Sequence, residues 1–161
     1  MKEKQIARAG SLTALALVLS YLESLVPLSF AVPGIKLGLP NLAVIYALYR
    51  LRPRMAALIS LLRVLLAAVL FGSVLSLAYS AAGAVLSLLV MSLLRRSGRF
   101  GCVGVSVAGA VAHNLGQILT AAALLETLRL AWYFPALCVA GVLSGIGIGL
   151  AAALILRRFP G

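Results

Sequence analysis

The sequence predicts an all-α integral membrane protein, a bundle of six transmembrane helices with both termini cytoplasmic. Three observations carry this reading: 63% of the 161 residues are hydrophobic, the mean hydropathy is +1.15, and the only acids are Glu3, Glu23 and Glu126. A water-soluble domain of this length needs a far more polar surface. The formal net charge of +11 does not make a nucleic-acid surface, because the basic residues fall in short clusters between apolar segments and form no single patch.

Apolar segments of spanning length run over about 6–25, 39–51, 53–71, 75–94, 102–124 and 133–156, and compose one membrane domain over 1–161. The first follows Lys2, Lys4 and Arg8 with no small-residue cleavage site, so it reads as a mature helix and not as a removed signal. The second is short. It follows PLSFAVPGIKLGLPN, whose prolines and glycines predict a structured loop dipping back toward the protein before a helix starts at Pro40.

Lys and Arg supply orientation. Three precede the first span, Arg50, Arg52 and Arg54 separate the second from the third, Arg95, Arg96 and Arg99 separate the fourth from the fifth, and Arg157 and Arg158 follow the sixth. The remaining loops hold only Lys36 and Arg129. This asymmetry places the basic loops in the cytoplasm of a bacterial cell membrane and leaves Arg63 alone inside a span. Cys102 and Cys138 then fall near opposite membrane faces, too far apart for a disulfide, and read as two buried, inert thiols.

Lipid gives helices no hydrophobic reason to associate, so small residues at every fourth position mark faces that meet protein. Span six carries Gly141, Gly145, Gly149 and Ala153 in that register, and span five carries Gly104, Ala108, Ala112, Gly116 and Thr120. Span one pairs Gly10 with Ala14 and Ala16 with Ser20, a weaker pattern that fits either internal packing or the docking of another membrane protein.

Span five also contains GAVAHNLGQIL, with the chain's only histidine. At 100° per residue, Ser106, Gly109, Ala110, His113, Gly116, Gln117 and Thr120 fall within an arc of about 120°, leaving Val107, Val111, Leu115 and Ile118 for a lipid face. Asn114 flanks the arc. His113 and Arg63 come at similar depth, ~17 and ~15 Å from the cytoplasmic ends of their spans. A charge at that depth costs ~3 kcal/mol or more, so Arg63 is expected to face the bundle interior and to find a partner. Glu23 lies in the outer half of span one, and Lys36 and Asn41 flank the loop on that side.

Together Arg63, His113, Asn114, Gln117, Glu23, Lys36 and Asn41 are candidate binding residues for a small molecule entering from outside, one carrying a carboxylate or phosphate. The alternative for the same residues is a hydrogen-bond network that staples helices together, with Glu23 and Lys36 pairing at the interface. No catalytic constellation accompanies them. No two acids lie within nineteen residues of each other, there is no aspartate, and a lone histidine builds no metal site. Walker and nucleophile-elbow motifs are missing from the sequence. No cofactor or metal and no enzymatic activity are therefore expected, and active transport would draw its energy from a partner or an ion gradient.

The stretches YLESLVPLSFAVPGIKLGLPNL, LLFGSVLSLAYSAAGAVLSLLVMSLL and VSVAGAVAHNLGQIL together resemble the bacterial membrane family called Gx transporter, also labelled heptaprenyl diphosphate synthase component I. The family in turn looks like the six-helix substrate-binding S components of energy-coupling factor transporters. That resemblance implies a vitamin-like or isoprenoid or quinone-precursor substrate held toward the outside, with toppling driven by an energising membrane subunit and two ATPases. It also implies partner docking along Gly10, Ala14, Ala16 and Ser20, although this chain has no clean Ala-x-x-x-Ala there. The component I label implies an alternative, a noncatalytic membrane subunit that works with a soluble prenyltransferase.

Overall fold

Six α-helices and one short 3-10 helix make up the regular structure of the residues that the computed structural model describes, 2–26 and 37–158. They are α1 (Lys2–Leu25), α2 (Asn41–Arg50), α3 (Pro53–Phe71), α4 (Val74–Ser97), α5 (Cys102–Leu124) and α6 (Phe134–Arg158), with the 3-10 helix Leu128–Tyr133 leading into α6. Five of these segments are long and apolar enough to cross a membrane, which makes the chain a multi-pass membrane protein.

The second expected span, 39–51, departs from the other five. Its helix has only ten residues, about 15 Å of rise against a hydrocarbon core of roughly 30 Å. The cause is local. Gly38 takes a left-handed φ of +72°, the Asn41 amide turns back to the Gly38 carbonyl at 2.9 Å, and Pro40 stands at the cap. At the other end Leu51 is extended ahead of Pro53, which starts α3 at a position where its missing N–H costs nothing. So α2 fills only the half of the bundle nearer the basic loops.

The helices form a closed ring in the order α1, α3, α4, α5, α6, α2, with α2 also touching α3. The apolar core sits at one end of it. Ile45 and Leu48 of α2 are buried with Ala9 of α1, Ile59 of α3, Met91 of α4, Val105 of α5 and Ala152 of α6, all at the end that carries the basic loops.

Two of the basic residues counted as topology signals are spent inside this end. The Arg95 guanidinium donates to the carbonyls of Leu48 and Tyr49 and lies 5.1 Å from the Tyr49 ring centroid, while Arg50 donates to the Leu156 carbonyl. A cation thereby satisfies carbonyls that the last turn of a helix leaves without partners. Arg52, Arg54, Arg96 and Arg99 stay exposed. Arg95→Ala is accordingly expected to lower unfolding stability in detergent by about 2 kcal/mol, the scale of hydrogen bonds to a charged donor. Arg96→Ala, followed by the same circular-dichroism melt, is expected to leave it unchanged.

Helix α5 is the middle of the α4–α5–α6 wall, and glycines set both of its contacts. On the α4 side a Cβ on Gly116 would stand 2.9 Å from the Ala82 carbonyl oxygen, and one on Gly109 would stand 2.5 Å from Met91. On the α6 side, Gly141, Gly145 and Gly149 pack on Ala110, Val107 and Val103. The expected small-residue stripe of α6 is therefore a packing face. That of α5 needs correction: the close approaches to α4 come at Gly109 and Gly116, seven residues apart, whereas Gly104 is exposed beside Phe100. The lipid face assigned to α5 is also covered in part, since α6 lies on Val107 and Ile118 is buried. Helical projection finds one polar arc but cannot show that a helix has neighbours on two sides.

Candidate functional site

At the end of the ring opposite the core, α1 and α3 finish and α4 begins. Because α2 stops halfway, the described side chains here do not close over one another. Between them lies a cavity of about 530 Å³, within the range of ordinary small-molecule sites.

Its walls differ in chemistry. Val64, Ala67, Ala68 and Phe71 of α3 make an apolar wall, and the Phe71 ring is held edge-on against Tyr21 of α1 with centroids 5.9 Å apart. Facing them are Ser20 and Ser24 of α1 and Ser73, Ser76 and Ser80 of α4. Most of these hydroxyl protons are engaged within their own segments: Ser20 donates to the Ala16 carbonyl at 2.9 Å, Ser24 to that of Tyr21 at 2.6 Å, and Ser76 to that of Ser73 at 2.9 Å. What Ser20, Ser24 and Ser76 offer the cavity is therefore chiefly oxygen lone pairs. Ser73 and Ser76 also cap α4 reciprocally, each accepting the other's backbone N–H.

Arg63 of α3 and Glu23 of α1 are the charged residues among this lining. Both line this cavity, and both also line a smaller one of about 40 Å³ that reaches Asn41, His113, Asn114 and Ser144. Glu23 accepts a hydrogen bond from the Gly38 amide, which ties the end of α1 to the approach to α2. Its charge also bears on Arg63. The Arg63 Nε is buried and has no hydrogen-bond partner. A buried donor left without a partner costs free energy in any fold, and more so on a cation in a membrane.

Of the seven candidates read from the sequence, Arg63, Glu23, Asn41, His113 and Asn114 thus converge on the smaller cavity. Asn114 has a structural engagement as well, since its side-chain amide donates to the Leu137 carbonyl of α6 at 2.7 Å. Gln117 lines neither cavity; its Cγ lies against α4, 3.0 Å from where Gly83 would carry a Cβ. Lys36 lies outside the described residues.

The four residues proposed for docking separate. Gly10 and Ala14 are exposed, but Ala16 is fully buried and Ser20 lines the larger cavity. Sequence reasoning missed the serines of α4 and Phe71. A signal was present, because Ser73, Ser76 and Ser80 stand at i, i+3 and i+7 on one helical face. Among the described residues no three His, Cys, Asp or Glu side chains come together as a metal site.

A family model described as heptaprenyl diphosphate synthase component I matches residues 12–155, almost the whole chain. No curated protein and no solved structure matches it.

Proposed function

This chain belongs to the heptaprenyl diphosphate synthase component I family, and we propose on that premise that it is a substrate-capturing membrane subunit and not itself a condensing enzyme. The observation that carries the reading is Arg63: a cation on a membrane-spanning helix that lines a 530 Å³ cavity and whose buried Nε has no partner. Arg95, which holds helices together, by contrast spends its terminal nitrogens on the Leu48 and Tyr49 carbonyls. An ionisable residue inside a membrane span that also lines a cavity suits a ligand path.

In this reading the basic loops face the cytoplasm of a bacterial cell, so the cavity opens outward and serves uptake of a small molecule. Partner subunits supply the energy, since the sequence carries no nucleotide-binding motif. The exposed Gly10 and Ala14 belong to the face available to such a partner. The carboxylate clusters that hold magnesium diphosphate in a condensing enzyme have no counterpart in a chain with three glutamates and no aspartate.

The family's description favours a second reading, a noncatalytic subunit for a soluble prenyltransferase, docked through the exposed Arg52, Arg54, Arg96 and Arg99. One experiment separates the two. With Cys102 and Cys138 replaced by alanine, Ala68→Cys is treated in intact cells with a membrane-impermeant maleimide. Capture from outside predicts rapid labelling and loss of retained ligand on labelling. Labelling only after the cytoplasmic face is opened, together with co-purification of a prenyltransferase, would establish the second reading instead.

A further inference from the structure

Independently of the capture reading, we infer that the end of the bundle carrying the basic loops binds anionic phospholipid headgroups through Arg54, Arg96 and Arg158, each set beside a leucine that meets the lipid's acyl chains. Charge gives the first part. Among the described residues that end exposes cations on α1, α3, α4 and α6, and the one exposed acid there is Glu3. Arg50 and Arg95 are already committed to carbonyls of the fold. Arg54, Arg96 and Arg158 are exposed, so their charge is available to a neighbour outside the chain. A surface with this excess of cations attracts anions.

The neighbours of these arginines decide the kind of anion. Leu58 stands four residues after Arg54 on α3, Leu93 three before Arg96 on α4, and Leu154 four before Arg158 on α6, exposed by 44%, 67% and 66%. Residues three or four apart share a helix face. Helix α3 starts at the basic end, whereas α4 and α6 finish there, so the leucine follows the arginine on the first and precedes it on the other two. On all three helices the cation is therefore nearer the water and the exposed leucine one turn nearer the middle of the membrane. A phospholipid has the same order, phosphate outside and hydrocarbon inside. A soluble acidic protein or a free anion would meet the arginine and leave the leucine unused. The guanidinium offers phosphate paired N–H donors, and its stem lies along apolar surface while the charge reaches the headgroup.

The test uses the intact chain in detergent with phosphatidylglycerol and phosphatidylcholine of the same acyl chains, supplied together in equal amounts and counted as bound lipids by native mass spectrometry. The wild type is expected to retain phosphatidylglycerol about tenfold over phosphatidylcholine, and Arg54→Gln, Arg96→Gln and Arg158→Gln each to lower that ratio about two- to fivefold, up to the worth of one cation at a charged lipid surface. All three are surface changes, so their thermal unfolding is expected to match the wild type. Arg129→Gln, an exposed cation at the opposite end, is expected to leave the ratio unchanged. Excess glycerol 3-phosphate, a soluble headgroup without chains, is expected to displace no lipid. Equal retention of the two lipids by the wild type, an unchanged ratio in the three arginine variants, or displacement by glycerol 3-phosphate would overturn the inference. Displacement by polyglutamate would overturn it in favour of an acidic protein partner.

Discussion

Gly145→Val is expected to unseat α6 from α5 and to cost about 3 kcal/mol or more, the upper range for overpacking a filled interface. A Cβ at Gly145 would stand 2.6 Å from the Val107 Cα and 3.1 Å from its amide nitrogen. Those are backbone atoms, so no rotamer change relieves the clash and one helix must move away from the other. Movement there also draws Asn114 from the Leu137 carbonyl, since Gly141 packs against the same asparagine one turn earlier. Gly147→Val supplies the comparison: a Cβ there meets nothing within 4 Å, and the residue is exposed. Thermal unfolding in one detergent should show Gly147→Val near wild type and Gly145→Val either far less stable or not recovered as monodisperse protein. Equal melting of the two would mean that α5 and α6 do not touch as described.

Arg63→Met is expected to stabilise the protein and to abolish its ligand binding. Methionine keeps the unbranched apolar stem while removing a guanidinium whose Nε has no partner. Removing such a charge from mid-membrane is worth on the order of 1–3 kcal/mol, less whatever Glu23 contributes through its field. The sign is diagnostic. A residue that staples helices destabilises the fold when truncated, as expected for Arg95→Ala, whereas a residue held ready for a ligand releases strain. A fall in the melting temperature of ligand-free Arg63→Met would assign Arg63 to the scaffold.

How much of this was legible in the sequence depended on whether a residue's role follows from its own helix. The α6 glycines repeat every fourth position and show one packing face, so Gly141, Gly145 and Gly149 could be read directly. Arg63 and Glu23 stand out as charges in apolar segments, and similar depth is enough to bring Arg63 near His113. What could not be read is which neighbour covers which face. Ala16 and Ser20 have the spacing of an outward docking stripe, yet they face the interior because α1 lies against both α2 and α3. Gln117 shares an arc with His113 but ends against Gly83, where α4 comes too close to leave space. The α4 serines look like ordinary small residues of a membrane helix. They acquire meaning only once the shortness of α2 leaves a space beside them.

The most direct measurement is the bound mass on protein released from native membranes without added ligand. Native mass spectrometry should find one small molecule retained by the wild type and lost from Arg63→Met of equal or higher thermal stability. The same mass on both proteins, or none on the wild type, would contradict a ligand site at Arg63.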